Sequence, residues 1–218
     1  MYASLSMGGF ARFAGWTAVV LGVGGGLLRA FVLEPWTVPD DEWIVASSAP
    51  TLSAGDLVLL LTRGVPGVGD LVRCADPESP KSFVVGRIIG KPGDTLELGG
   101  ASLKINGYGY SSADACYDNN VSLISPKTQQ RVEVICGRIE IGGGWHYMGR
   151  VAKSSPEAIK TYKVDEGKVF LVSDNRDIHD DSRDFGQVSL DTCTHRVVFR
   201  MWSAKGWMDG RHRIMPIH

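Results

Sequence analysis

Three short strings hold most of the side chains that could do chemistry in this chain. Ser47–Leu52 begins with two adjacent hydroxyls, Gly86–Asp94 opens with a glycine followed by an arginine, and Ser173–Arg183 mixes carboxylates, guanidinium groups and one imidazole, His179. A serine hydroxyl becomes a good nucleophile only when a neighbouring base takes its proton. An imidazole needs no burial to serve as that base near pH 7. The competing interpretation of His179 is an ordinary surface residue among acidic neighbours.

The composition is that of a globular protein with a sizeable core. The chain has 218 residues, of which 44% are hydrophobic and 22% charged, and 23 basic side chains nearly balance 24 acidic ones. This balance favours neither a nucleic-acid partner nor an acidic solvating tail. The 27 glycines indicate many turns and a β-rich body. Four cysteines are too few for a small disulfide scaffold and lack the spacing of metal ligands, so no metal site is predicted.

The N-terminal part of the chain is apolar enough to predict a membrane span. Residues 13–28 carry no charge, and the apolar run continues past Arg29 to Leu33, close to the roughly 20 residues that cross a bilayer as a helix. We predict a short tail at residues 1–12 and a transmembrane helix at 13–33, ended by Pro35. Two alternatives are a cleaved signal peptide, which lacks a small-residue cleavage site here, and a buried soluble helix, which three consecutive glycines would weaken.

From Trp36 onwards the sequence consists of short β-rich runs separated by Gly, Pro and Asp. An Asn-Gly pair at Asn106 lies between two such runs and is a strong hairpin signal. Only residues 155–160 look briefly helical. The pattern predicts a mainly β fold with an antiparallel body that follows the N-terminal helix.

The three strings, in this order, resemble the sequence boxes of type I signal peptidases. Ser47–Leu52, followed by Gly55 and Asp56, resembles their Ser-Met-x-Pro-Thr-Leu…Gly-Asp box. Gly86–Asp94 resembles Lys-Arg-x-x-Gly-x-Pro-Gly-Asp, and Ser173–Arg183 resembles Gly-Asp-Asn-Arg-x-x-Ser-x-Asp-Ser-Arg. The resemblance covers nearly the whole chain.

The resemblance implies a membrane-anchored serine endopeptidase that removes signal peptides without metal or cofactor. Its expected partners are exported preproteins with Ala-x-Ala-type cleavage sites and the lipid bilayer, with no nucleic acid, and its substrate binds extended as an added strand. The expected location is the cell (inner or plasma) membrane, in a single pass, with the catalytic domain on the outer side. We expect a catalytic β-domain from residues 37–98 and 166–218, with a non-catalytic β-region, 99–165, inserted between its strands.

The chain departs from the family pattern at the positions that matter most for catalysis. In the family a serine is the nucleophile and a neutral lysine is the general base. Ser47 stands at the nucleophile position, but Gly86 stands at the lysine position and cannot take a proton. Ser48 replaces a methionine beside the nucleophile, and Val45 replaces a residue whose hydroxyl helps to hold the oxyanion, which leaves the Ser47 amide as a donor. One oxyanion donor is typically worth about 3–4 kcal/mol.

We hypothesise that the histidine at position 179 compensates for the loss of the lysine at position 86. His179 stands where the family has a serine that lies against the lysine, so it would fill the space over Gly86 and act as general base to Ser47. Asp181 or Asp180 would orient the imidazole, as in a catalytic triad.

Other readings of the site stay open. Lys81 and Lys91 are alternative bases, although each lies next to a proline and is expected to be solvated, and His146 and His195 match no box and are expected to be ordinary. If no base serves Ser47, the chain is a catalytically inactive homologue that binds peptides or assists assembly. A soluble Ser–Lys autoprotease of related fold is disfavoured by the apolar N-terminal segment and the missing lysine.

The resemblance gives the remaining charged residues of the boxes structural roles. Arg87 and Asp174 are expected to pair and to brace the two strands that hold the catalytic groups. Asp181 is expected to pair with Arg183 or Arg176 and to brace the loop of the third box.

The cysteines allow three pairings that the sequence cannot separate. Cys116 and Cys136 both lie in the inserted region and are the favoured disulfide, while Cys74 and Cys193 lie in the flanking β-rich parts. The alternative is four free, buried thiols.

Overall fold

The polypeptide forms three α-helices, one 3-10 turn (Leu190–Thr192) and fifteen strands within the part of the chain that the structure describes. This computed structural model describes residues 7–79, 81–112, 114–155, 157–206, 208–209 and 212–218. The helices are α1 (Met7–Phe31), α2 (Glu42–Ser48) and α3 (Ser182–Phe185). The strands are β1 (Leu33–Thr37), β2 (Leu57–Leu61), β3 (Leu71–Ala75), β4 (Phe83–Gly90), β5 (Thr95–Gly99), β6 (Ser102–Ile105), β7 (Tyr108–Tyr110), β8 (Asp114–Ile124), β9 (Arg131–Ile141), β10 (Gly144–Val151), β11 (Lys160–Lys163), β12 (Lys168–Val172), β13 (Val188–Ser189), β14 (His195–Trp202) and β15 (Met215–Pro216).

The N-terminal helix α1 corrects the prediction made for this segment. It covers most of residues 13–33 and also takes in part of the predicted tail, whose residues 1–6 lie outside the described residues. Among the helices described, none combines the length and the apolar character that a membrane crossing needs. The predicted transmembrane segment is therefore not borne out. Five glycines between positions 15 and 26 lengthen α1 without adding apolar side chains.

Three antiparallel sheets make up the body, which confirms the mainly β prediction. The largest sheet runs in the order β1-β2-β14-β3-β4-β12-β13, with β15 added beside β14. A four-stranded sheet has the order β11-β5-β6-β7, and a three-stranded sheet has the order β10-β9-β8. The large sheet thus interleaves strands from both ends of the body, because β14 lies between β2 and β3. The division into domains at residues 37–98, 99–165 and 166–218 stays a prediction.

The burial of strands β2 and β4 follows their place in the large sheet. Buried and half-buried residues alternate along β2, where Val58 and Leu60 face the core, as the two-residue period of a strand requires. Strand β4 is buried at seven of its eight positions. Side chains from the segments that flank α2, Val38 and Leu52, pack with Leu60 in one core cluster, and Ile44 of α2 itself packs against that cluster. This contact seats α2 on the sheet.

The described residues of the segment 155–160, which are 155 and 157–160, do not form the predicted helix. Residues 157–159 are irregular and Lys160 begins β11. A side chain at Gly99 would meet the backbone of this segment, with its Cβ 2.9 Å from the Ile159 Cα. The Glu157 carboxylate accepts a hydrogen bond from the Gly100 amide at 2.8 Å. The close approach to this strand end holds residues 157–159 against the end of β5.

The four cysteines form two disulfides. Cys116 of β8 pairs with Cys136 of β9, and Cys74 of β3 pairs with Cys193, which precedes β14. The first bond lies within the three-stranded sheet, and the second ties β3 to the turn that leads into its neighbour β14.

Candidate active site

The short helix α2 presents the candidate nucleophile. Asp41 caps this helix, since its carboxylate accepts hydrogen bonds from the amides of Trp43 at 3.0 Å and Ile44 at 2.9 Å. An aspartate N-cap satisfies amides that have no partner within the helix. The sequence analysis missed α2, although Asp41 followed by Glu42 is a recognisable start signal. Seven residues are too few for a helical period to stand out.

Ser47 is buried in α2, with 2% of its surface exposed. Its hydroxyl donates to the Ile44 carbonyl at 3.3 Å, whereas the Ser48 hydroxyl donates to the same oxygen at 2.5 Å. A distance of 3.3 Å is long for a hydroxyl donor, so the bond made by Ser47 is the weaker of the two. Ser47 is the sixth residue of α2, past the first turn, so its amide belongs to the helical ladder rather than to an open oxyanion site.

The two candidate substrate-contacting residues are also held within α2. Ser48 is buried, and Val45 is half-buried with its amide bonded to the Asp41 carbonyl at 3.0 Å. The Val45 amide therefore contributes to the helix.

Asn175 ties the loop of the third box to α2. Its amide nitrogen donates to the Ser47 carbonyl at 2.8 Å, and its side-chain Nδ2 donates to the Ala46 carbonyl at 2.9 Å. Its Oδ1 accepts from the Ile178 amide at 3.1 Å, which folds the loop back on itself. The loop that carries His179 is thus fixed directly against the helix that carries Ser47.

Arg87 and Asp174 form a buried bidentate ion pair between β4 and the end of β12. Arg87 Nε lies 2.8 Å from Asp174 Oδ1, Arg87 Nη2 lies 2.8 Å from Oδ2, and both side chains are fully buried. The Thr51 hydroxyl also donates to Asp174, at 2.5 Å. Burial alone raises the pKa of Asp174, but the charge and hydrogen bonds of Arg87 outweigh it and hold this pKa below its ordinary value. The pair therefore joins the second box to the third and, through Thr51, to the segment after α2.

The position of the missing lysine is packed by a leucine. A Cβ built on Gly86 would lie 3.1 Å from Leu171 Cβ and 3.7 Å from Leu171 Cδ1, and the third nearest atom is the Val172 carbonyl oxygen. The space directly beside Gly86 is therefore filled by Leu171 of β12. His179 does not supply any of these three nearest atoms.

His179 pairs with a carboxylate that the sequence analysis did not name. Its Nδ1 lies 2.6 Å from Asp184 Oδ2, and its Nε2 lies 3.9 Å from Glu157 Oε1, beyond hydrogen-bond reach. Burial raises the pKa of Asp184, but hydrogen bonds from His179 and from the Asp181 amide bring this pKa below its usual range. In the described part of the chain no hydrogen bond joins His179 to Ser47.

Asp181, one of the two expected orienting residues, braces the loop instead. It caps α3, accepts from the Ser173 amide at 2.7 Å and pairs with Arg183 at 3.0 Å (Nε) and 2.8 Å (Nη2). Burial opposes ionisation, yet the Arg183 pair and these amides keep the pKa of Asp181 low. Both carboxylate oxygens of Asp181 accept hydrogen bonds in these contacts. These contacts fix the single turn of α3, and this turn places Asp184 beside His179.

Arg176 and His146 are buried and have unpaired polar atoms. All three guanidinium nitrogens of Arg176 lack a hydrogen-bond partner among the described residues, and burial is the main cause that lowers its pKa to about 10. His146 Nε2 likewise has no partner in the described part of the chain. Burial, and then the charge of Arg87, lowers the pKa of His146 to about 2, so this ring stays neutral.

The remaining candidate bases lie elsewhere. Lys81 and Lys91 are exposed, and His195 faces Glu34 with its Nε2 3.4 Å from a carboxylate oxygen. As for a metal, His179, Asp181 and Asp184 place ligand atoms within 4.8 Å of one another. The Asp181 oxygens already accept hydrogen bonds from a guanidinium and from backbone amides, so this group is poorly suited to a cation.

Comparison with known proteins places the chain in a family. A family model described as signal peptidase, peptidase S26, matches residues 11–202. The chain belongs to this family. The resemblance drawn from the three sequence boxes is thereby confirmed.

The relatives of this S26 chain are signal peptidases of moderate similarity. Signal peptidase IB of Staphylococcus aureus strain COL is 28% identical over 196 residues, which is 87% of each chain. Signal peptidase I of Pseudomonas aeruginosa is 24% identical over 179 residues, and the match spans 72% of this chain and only 57% of that relative's length. A solved signal peptidase I from Enterococcus faecalis V583 matches with 22% identity and a TM-score of 0.36, over 61% of this chain and 96% of that one.

Proposed function

We propose that this protein is a signal-peptidase-type serine endopeptidase in which Ser47 is the nucleophile and His179 is the general base. The observation that carries the proposal is the 2.6 Å contact between His179 Nδ1 and Asp184, on a loop that Asn175 ties to the Ser47 carbonyl. A base with its orienting carboxylate thus lies on the element next to the nucleophile.

The side of the imidazole that Asp184 occupies fits this role. In a Ser-His-Asp triad the carboxylate binds Nδ1, and Nε2 takes the serine proton. Here Asp184 is at Nδ1, while Nε2 has only Glu157 at 3.9 Å and so remains available. The imidazole takes the proton from the Ser47 hydroxyl as that oxygen attacks the peptide carbonyl, and later returns it to the leaving amine.

The hydroxyl of Ser47 is only weakly held in the free protein. Its 3.3 Å bond to the Ile44 carbonyl is weak, and the shorter bond from Ser48 already satisfies that oxygen. Catalytic hydrogen bonds are often long or misaligned before substrate binds and tighten in the complex. We infer that peptide binding turns the Ser47 hydroxyl towards His179.

The substrates proposed are exported preproteins with small residues, of Ala-x-Ala type, before the cut. They bind extended, and the reaction takes place at the outer face of the cell membrane. Family membership supports this substrate class and location.

A second candidate function is peptide binding without cleavage. It is favoured by Gly86, which offers no proton acceptor and is packed by Leu171, and by the Ser47 amide, which lies within the ladder of α2 rather than at an oxyanion site. In this case the protein is a binding or assembly factor for the same exported chains.

Cleavage of a preprotein by the purified full chain in detergent separates the two candidates. We expect cleavage by the unmodified protein, and loss of about 10²–10⁴-fold in rate for His179→Ala, as is usual when a general base is removed. Ser47→Ala should be inactive, and the cleavage rate of Asp184→Asn should lie between that of the unmodified protein and that of His179→Ala. His195→Ala is the matched control, because this histidine also faces a carboxylate but lies away from Ser47.

The outcomes are distinct. Full activity of His179→Ala removes the imidazole from the mechanism. Activity of Ser47→Ala rules out the nucleophile. Binding of the preprotein with no cleavage by the unmodified protein establishes the second candidate.

A further inference from the structure

A small cavity lies between α2 and the loop that carries the candidate base. It has a volume of about 250 Å³ and is lined by Trp43, Lys127, His179, Asp180 and Asp184. Trp43 belongs to α2 and lies four residues before the nucleophile, about 6 Å along the helix axis. The cavity is therefore close enough to the candidate site to hold a side chain of a bound peptide.

One carboxylate in this cavity has no cation of its own. Asp181 is paired with Arg183 and Asp184 with His179, whereas no hydrogen bond or ion pair to the Asp180 carboxylate occurs within the described ranges. Burial first, and then the charges of nearby carboxylates, raise the pKa of Asp180. Those carboxylates belong to Asp184, Asp181, Asp76 and Asp41. The cavity therefore has a negative potential that a cation would relieve.

The cavity also holds an ammonium group from the same chain. Lys127, in the turn between β8 and β9, places its Nζ 5.9 Å from the centre of the Trp43 ring. This distance is at the outer limit of a cation–π contact, and an exposed contact of this kind is weak. The same turn reaches α2 through a 3.0 Å hydrogen bond from Gln129 Nε2 to Glu42. The cavity thus combines the aromatic ring of Trp43 and the carboxylate of Asp180 with the weakly held ammonium group of Lys127.

We propose that this cavity is a subsite for a lysine or arginine side chain of the bound peptide, with Lys127 at its mouth in the free protein. The incoming cation packs against the face of the Trp43 indole, and the carboxylate of Asp180 is the counter-ion of that cation. Lys127 swings away as the peptide enters, which costs little because its contact is weak and exposed. The inference rests on the proposed recognition of an extended peptide and adds a charge preference to it.

The test measures binding separately from cleavage. Full-length Ser47→Ala protein in detergent is titrated into fluorescently labelled peptides that contain an Ala-x-Ala segment, and anisotropy gives the Kd. A single lysine is moved through the positions flanking the segment, and each lysine peptide is compared with its norleucine counterpart, which keeps the aliphatic stem without the charge. We expect one position at which lysine binds about fivefold tighter than norleucine.

Variants of the cavity identify the source of that preference. Asp180→Asn should abolish the gain, and Lys127→Gln should leave it intact or enlarge it, because a competing cation is gone. Lys153→Gln is the matched control, since it removes an exposed lysine far along the chain from the cavity. Equal binding of lysine and norleucine at every position, a gain that survives Asp180→Asn, or a gain lost in Lys127→Gln would each overturn the inference.

The same titration distinguishes this inference from the proposed function. Peptides that bind with the lysine preference but are not cut by the unmodified protein sink the endopeptidase and leave the subsite standing. Peptides that are cut but show no lysine preference leave the endopeptidase standing and overturn the subsite. Absence of all peptide binding overturns both.

Discussion

Replacing Arg87 by methionine should cost more stability than any surface change, because it leaves a buried carboxylate without its cation. Arg87 makes two 2.8 Å contacts with Asp174, and both side chains are fully buried. Breaking a buried ion pair on one side typically costs about 3–5 kcal/mol. Arg87 also donates to the carbonyls of Gly69 at 2.6 Å and His218 at 2.7 Å, so we expect Arg87→Met in the upper part of that range.

The pH dependence of this loss has a definite sign. In the unmodified protein the pKa of Asp174 is lower folded than unfolded, so its stabilisation is complete above the unfolded pKa, about 3.9, and is lost as pH falls through the folded value. In Arg87→Met the largest influence opposing burial is gone, so burial raises the pKa of Asp174. That variant should therefore gain stability relative to the unmodified protein as pH falls, and the difference between them should narrow towards pH 3.5.

Urea unfolding of the full chain in detergent, followed by tryptophan fluorescence, measures this difference. Urea is preferred because guanidinium is a salt and screens charges. Asp174→Asn and the double variant complete a mutant cycle, in which we expect a coupling energy of about 2–3 kcal/mol. A cost below about 1 kcal/mol for Arg87→Met at pH 7, or a cost independent of pH, would refute the reasoning.

Three further changes test other parts of the fold, each by the same urea assay. Gly142→Ala places a Cβ against the Val68 carbonyl at a positive φ of 66°, and we expect at least about 3 kcal/mol of destabilisation; a near-neutral result would show that this turn is not closely packed. Asp181→Asn keeps a capping oxygen but removes the charge that pairs with Arg183, so it should cost about 3–5 kcal/mol at pH 7 and less below pH 4, and a constant cost across pH would contradict that origin. Gly86→Ala should cost only about 1–2 kcal/mol, because Leu171 at 3.1 Å must give by a few tenths of an ångström, and this cost should disappear when Gly86→Ala is compared with Gly86 in a Leu171→Ala background, whatever Leu171→Ala itself costs.

The sequence predicted the ion pairs among the charged residues of the second and third boxes. The resemblance implies that Arg87 pairs with Asp174 and leaves Asp181 to pair with either Arg183 or Arg176. The structure contains the Arg87–Asp174 pair and decides for Arg183 as the partner of Asp181. Asp184 was missed because it meets His179 only after α3 turns the chain. Separation along the sequence gives no sign of that contact.

Two errors concern backbone segments rather than side chains. The predicted span at residues 13–33 rests on the length of an apolar run that Arg29 interrupts. Five positions of α1 from 15 to 26 are glycines, which add length to the run but little hydrophobicity. The helix predicted at 155–160 is wrong for the described residues of that segment. Residues 157–159 pack against Gly99 and Gly100, which is tertiary information that the local sequence does not carry.

The identity of the base depends on a geometric point that residue types alone do not decide. A lysine at position 86 would have to displace Leu171, since even a Cβ there lies 3.1 Å from that side chain. Leu171 thus fills the position beside Gly86, while Asp184 holds the imidazole of His179 by its Nδ1, and no hydrogen bond to Nε2 occurs among the described residues. Asp184 also lines the cavity proposed for the peptide, but binding a peptide does not require a carboxylate at Nδ1 of an imidazole, whereas a Ser-His-Asp mechanism requires it at that nitrogen.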